Sequence, residues 1–230
     1  MRYPLAAFAA LALGACGGAT PGDPQDTTAL PSEPAQPETP PQGRYAPRND
    51  CIELPGAKPF FVALEKAVRD RSADELLAIT DPGIRLDFGG TGGLTSFRER
   101  LEAKDSQLWL ELDRILTLGC AADGNGGMVL PWVFAQDVTV DDPFSARLVT
   151  GADIPVYARP AKNAEPSATV SWDIVTALDN ASTREFTRIR TPSGAEGYIA
   201  TSDLRDLTGY RLFANRAGET WRITAFATGD

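Results

Sequence analysis

Phe186-Thr187-Arg188-Ile189-Arg190, then Ser193-Gly194-Ala195-Glu196-Gly197-Tyr198-Ile199, make two short runs rich in aromatic and β-branched residues around a glycine-containing turn. Runs of this length, bounded by Pro and Gly, read as antiparallel strands. Working outward, residues 154–158 and 168–177 read as two more strands, so the texture of this region is that of a small barrel. Downstream, residues 210–214 and 221–226 flank Asn215-Arg216-Ala217-Gly218-Glu219. That is a hairpin signal, with Gly218 free to take positive φ. A lone hairpin is marginal in water. It is therefore expected to return to the sheet of the preceding half beside a strand over 84–88, bringing Trp221 against Phe88 and making the strand-rich region an insertion.

The half before it has a different period. Phe60, Leu64, Ala67 and Val68 recur at helical spacing. Ser72-Ala73-Asp74-Glu75 reads as a capping box opening a second short helix through Leu76, Leu77 and Ile79, stopped by Asp81-Pro82-Gly83. Ile84, Leu86 and Phe88 alternate on one face of the expected strand. Thr95 is the expected cap of a helix carrying Phe97 and Leu101, and residues 108–118 are apolar enough to form a largely buried helix. In the strand expected over 128–134, Pro131 indicates an edge or a bulge. The fold class expected is α+β.

Val156-Tyr157-Ala158-Arg159-Pro160 resembles the opening strand and loop of bacterial SH3-like domains, and the runs at 186–190 and 193–199 resemble their strand, turn and Gly-aromatic-aliphatic strand. Ser202-Asp203-Leu204 fits the short helical turn that closes such a module. The resemblance spans about 55 residues, from Thr150 to Arg205. Tyr157 stands where the family often has Asn and Tyr198 where it often has Trp. The resemblance implies an SH3-like barrel over 149–206 and a non-catalytic groove in which aromatic rings dock extended cell-wall peptides or protein segments. Tyr157, Arg159, Trp172 and Tyr198 are the ligand-binding residues it implies. The competing reading of Trp172 and Tyr198 is packing, in the barrel core or on the first domain, as in a structural or assembly protein.

At the N-terminus a single Arg2 precedes an apolar run over residues 5–13. About 20 residues are needed to span a bilayer, so the run reads as a secretory leader. Leu13-Gly14-Ala15-Cys16 resembles the lipobox of bacterial lipoproteins. The resemblance implies cleavage after Ala15, lipid on Cys16 as the membrane partner, and, with Gly17 in place of an aspartate, the periplasmic face of the outer membrane. Residues 16–50 hold Pro21, Pro24, Pro31, Pro34, Pro37, Pro40, Pro41 and Pro47 among polar residues and read as an extended tether. An α+β domain is expected over 51–148, completed by 207–230.

Loss of the leader removes Arg2 and no acid, leaving 21 basic against 31 acidic side chains, a net charge of −10. Nucleic acid is not an expected partner for such a surface; peptidoglycan or an envelope protein is. Cys51 and Cys120 remain as an even pair in an oxidising compartment and read as a disulfide. With no histidine and no CxxC pair, zinc and other cofactors are not expected, and neither is a Ser-His-Asp or Cys-His centre. Gly89-Gly90-Thr91-Gly92-Gly93 lacks the Lys-Ser/Thr ending of a phosphate loop and reads as a turn. Asp137, Asp141 and Asp142 lack calcium-loop spacing. The remaining catalytic alternative is an envelope hydrolase that pairs Asp87 with Glu111 or Asp113, one of them raised by burial into a general acid.

Overall fold

Helix α1 (Ala57–Arg69) forms where the apolar spacing places it, burying Phe60, Phe61, Leu64, Ala67 and Val68. The computed structural model describes residues 43–179 and 185–229; the leader, Cys16 and residues 17–42 of the expected tether lie outside them. In α2 (Ala73–Ala78) the Ser72 hydroxyl accepts from the Glu75 N–H at 3.3 Å. Only half of the capping box forms. The Glu75 carboxylate pairs with Lys66, while the Ser72 N–H bonds the Ala67 carbonyl. Helix α3 (Leu94–Glu102) carries Phe97 and Leu101 inward, but its cap position is Gly93, whose N–H is taken by the Ile84 carbonyl. Thr95 lies inside the first turn. Helix α4 (Leu108–Thr117) buries Leu108, Trp109, Leu112 and Ile115.

Strands β1 (Thr80–Arg85), β2 (Ala121–Ala122), β3 (Gly127–Leu130), β11 (Arg211–Ala217) and β12 (Thr220–Ala227) make a five-stranded sheet in the order β1-β12-β11-β3-β2. The hairpin supplies its two central neighbours: β12 pairs parallel with β1, and β11 antiparallel with β3. Three expectations need correction here. Strand β1 starts four residues early and contains the Asp81-Pro82-Gly83 stop, which it tolerates because it is an edge strand, where a missing N–H costs little. The chain turns after Leu86, so Phe88 leaves the expected face and is 73% exposed, while Trp221 is buried and donates to the Pro55 carbonyl at 3.0 Å. Strand β3 is internal and stops before Pro131, and Trp132–Ala135 is a 3-10 turn rather than strand.

Period-2 alternation splits this sheet between two layers. Met128, Leu130, Leu212 and Ile223 face the four helices and join Leu64, Phe97, Leu112 and Phe226 in one core. Val129, Ala121 and Phe213 face the other way, toward Tyr45, Trp132, Leu148 and Leu207. Each such chain, when fully buried, contributes about 1.5–3 kcal/mol. Exposed pairs such as Arg98 with Asp74 at 2.6 Å contribute about 0–1 kcal/mol, so packing decides the fold.

Between β3 and β11 the chain forms a second, seven-stranded sheet. Its strands are β4 (Ala146–Val149), β5 (Ile154–Tyr157), β6 (Pro166–Val170), β7 (Ile174–Ala177), β8 (Phe186–Arg190), β9 (Glu196–Ala200) and β10 (Leu204–Asp206), in the antiparallel order β10-β4-β7-β8-β9-β5-β6. Among the described residues no pairing joins β10 to β6, so the sheet is open rather than a closed barrel. Val149, Val156, Val175, Ile189 and Ile199 fill its inner face. The expected single strand over 168–177 is two strands broken at Trp172, which has φ 44°.

Residues 43–50, expected as tether, pack on the body instead. Tyr45 and Ala46 are buried. The Tyr45 N–H donates to the Trp172 carbonyl, the Asp50 N–H to the Cys120 carbonyl and the Cys120 N–H to the Arg48 carbonyl, each at 2.8 Å. Composition reads the prolines and misses that one aromatic ring supplies enough apolar area to dock the segment. The disulfide between Cys51 and Cys120 is formed and fully buried.

Candidate functional site

Strands β5 and β9 run antiparallel with Tyr157 directly opposite Tyr198. Gly197 permits the approach: a Cβ there would meet Val156 Cγ1 at 2.5 Å and the Tyr157 carbonyl oxygen at 2.9 Å. By alternation Val156, Gly197 and Ile199 point inward and are buried, which turns the half-buried Tyr157 and Tyr198 outward together. The Tyr157 ring meets Phe186 edge-on, with centroids 5.8 Å apart. Arg188 lies across the ladder from Tyr198, its Nη2 donating to Glu196 Oε2 at 2.7 Å. Arg190 and Arg188 together hold the Glu196 carboxyl below its ordinary range. Arg159 sits two residues past the end of β5, exposed, and its side chain bonds no described residue.

Trp172 is elsewhere. It lines a cleft of about 840 Å³ between α4 and the seven-stranded sheet, with Gln107, Glu111, Arg205 and Tyr210. Neither Tyr157, Tyr198 nor Arg159 lines it. At its base the Arg205 side chain, 9% exposed, donates from Nη1 to Glu111 Oε2 at 3.1 Å and from Nη2 to the Tyr210 carbonyl at 2.7 Å. Burial pulls this guanidinium below its ordinary value, and Glu111 pulls it back. Arg114 Nη1 donates to the other Glu111 oxygen at 2.7 Å. Tyr210 stacks on Phe226, centroids 4.7 Å apart, and burial raises its phenol. In a more exposed part Lys162 pairs with Glu185 at 2.9 Å.

The Trp172 backbone is in the left-handed region, which costs an L-residue of this size roughly 1–2 kcal/mol. Two bonds hold it there, Trp172 N–H to the Gly151 carbonyl and Tyr45 N–H to the Trp172 carbonyl, both 2.8 Å. Strain of this kind persists only where the surroundings over-determine it.

The other candidates resolve into local structure. Asp87 Oδ1 accepts from the Gly89 and Thr91 N–H groups at 3.0 and 2.9 Å, and Oδ2 from Arg100 Nη2 at 2.8 Å. Two amides of the glycine loop are thus taken by the loop's own carboxylate, and a third, Gly93, by the Ile84 carbonyl. Arg100, with those amides, lowers the Asp87 pKa to about 2. This is the opposite of the raised pKa a general acid needs. Glu111 is clamped by two arginines, and Asp113 lies 3.7 Å from Arg71. Asp142 accepts from the Phe144 N–H at 3.0 Å, and among the described residues no three metal-ligating side chains gather.

The sequence singles out Glu111, but as a candidate general acid and not as the partner of two arginines, and it does not single out Gln107, Arg205 or Tyr210. The available signal was Glu111 in a largely apolar helix, a carboxylate that needs a partner once it is buried. Comparison with protein-family models, with curated proteins and with solved structures finds no match.

Proposed function

We propose that this chain is a lipid-anchored cell-envelope protein whose SH3-like module, residues 149–206, binds extended cell-wall peptides or protein segments without catalysis. The observation that carries the reading is the pairing of Tyr157 with Tyr198 on an outward sheet face, edged by Phe186 and Arg188, with Arg159, whose side chain bonds no described residue, nearby. Rings of this kind bury apolar area while their hydroxyls orient a ligand, and an exposed guanidinium recognises a carboxylate. The ligand is therefore an extended peptide ending in a free carboxylate. Support for the anchor is Leu13-Gly14-Ala15-Cys16 at the end of the leader; no helix among the described residues is long and apolar enough to cross a membrane. The non-catalytic reading is supported by the low pKa of Asp87 and the double clamp on Glu111.

Calorimetric titration of a stem tetrapeptide into the chain and its Tyr198→Ala variant tests the face. At least tenfold weaker binding at an unchanged melting temperature is expected. Equal affinity in both proteins removes the tyrosine face as the site. Labelling with a radioactive fatty acid in cells, with Cys16→Ser as control, tests the anchor separately.

A further inference from the structure

We infer that the cleft at Trp172 is a second binding site, separate from the tyrosine face, and that it takes an uncharged, polyhydroxylated ligand, a short stretch of glycan. Its volume, about 840 Å³, lies within the range of roughly 300–1,000 Å³ typical of ligand sites. The chain holds a tryptophan at φ 44°, where glycine would sit without strain, and so places an indole ring on the cleft wall. The Trp172 indole N–H donates to none of the described residues. A strained backbone that presents an uncommitted donor and a flat apolar ring to an open cleft is a ligand-holding arrangement.

The charges decide the ligand class. Each charge on the wall already faces one of opposite sign: Glu111 holds both Arg114 and Arg205, Lys162 pairs with Glu185, and Asp206 with Arg147 at 2.7 Å. An ionic ligand would have to compete with one of these partners. Arg205 Nε is without a partner among the described residues but is buried away from the cleft surface; the polar lining side chains that bond no described residue at all are neutral, the Gln107 amide and the Thr150 and Thr228 hydroxyls. Two aromatic rings stand with them, Trp172 and Tyr210, the second held in plane by its stack on Phe226. Neutral donors and acceptors around aromatic planes match a pyranose ring, whose equatorial hydroxyls seek hydrogen bonds while its C–H face packs on a ring. A peptide bearing charged ends does not match.

The cleft also adjoins the tyrosine face. Glu185 lines it and precedes Phe186, on which Tyr157 packs. A polymer whose sugar backbone carries peptide branches spans both. The cleft assignment does not depend on the peptide reading.

The test is a titration of the full chain with a β-1,4-linked N-acetylglucosamine tetramer and with a glucose tetramer, followed by tryptophan fluorescence and calorimetry. Saturable binding of one of them is expected. Trp172→Gly should weaken it at least tenfold while the melting temperature stays equal or rises, because the strain is relieved as the ring is lost. Gln107→Ala, on an exposed helix start, should weaken it several-fold and serves as readout if Trp172→Gly fails to fold. Tyr198→Ala should leave glycan affinity unchanged, which separates this site from the peptide face. Binding of neither tetramer overturns the proposal, as does full affinity in either cleft variant. A stem peptide that saturates the Trp172 signal where the tetramers do not also overturns it.

Discussion

Asp87 shows how one side chain converts a flexible-looking glycine run into a fixed turn. Its carboxylate gathers two loop amides and Arg100, and its folded pKa of about 2 lies below the ordinary value of roughly 3.9. A depressed carboxylate contributes stability that is present above the unfolded pKa and lost as pH falls through the folded one. Asp87→Asn should therefore melt below the parent at neutral pH, and the gap should close between about pH 4 and pH 2. Circular-dichroism melts of both proteins across that range check this; a gap that persists unchanged to pH 2 contradicts it. The sequence places Asp87 beside the glycines, but Arg100 reaches it only because α3 folds back over β1, so its role as an internal anion was not legible. Phe88 was misread for the same reason: strict alternation holds for Ile84 and Leu86, and the turn built on Asp87 breaks it one residue later.

At the scale of elements, what could be read depended on how local the cause was. Helices α1 and α4 follow from their own apolar spacing, and α2 from its spacing and the Ser72 cap, since the face they bury is written within each segment. The two-residue β2 exists only because β3 pairs with it, and the split of residues 168–177 into β6 and β7 follows from a left-handed turn that tryptophan does not advertise. Of the candidate site, Tyr157 and Tyr198 were recognisable as strand residues, but their mutual register depends on Gly197 allowing β5 to close in. The Trp172 cleft brings residues 107–118 to residues 201–210, and no local pattern announces that. The Ser72 cap tests the local side. Its hydroxyl satisfies one helix-terminal N–H, so Ser72→Ala should cost about 1 kcal/mol. In urea the midpoint should drop while the slope with denaturant stays constant, because neither end state changes its exposed surface. A neutral variant would mean that the Ser72 N–H bond to Ala67 alone defines the start of α2.

The described residues form a five-stranded sheet covered by four helices, a second sheet of seven strands, and a strap. The second sheet leaves the first after β3 and re-enters it at β11, so the chain crosses between them twice, and the layer containing Trp132, Val129 and Leu148 lies where they meet. Residues 43–50 cross the same region. Tyr45 bonds the backbone of the second sheet at Trp172, and Arg48 and Asp50 bond the segment leading into β2 of the first. Just after the strap, Cys51 is bonded to Cys120, a separation of 69 residues. Closing a loop of that size stabilises by about 4 kcal/mol, chiefly by restricting the unfolded chain. The Cys51→Ala, Cys120→Ala double variant should lose about that much. Its signature differs from that of a lost native contact. The uncrosslinked unfolded chain exposes more surface, so the guanidinium slope should rise as the midpoint falls. Hydrogen exchange gives the native-state side of the same prediction. The amides of Tyr45, Asp50 and Cys120 should lose protection in parallel with the rest of the body if the strap remains docked without the bond. If those three exchange much faster than the core of β11 and β12, the disulfide is holding the strap in place directly, and the unfolded-state account of its effect is wrong.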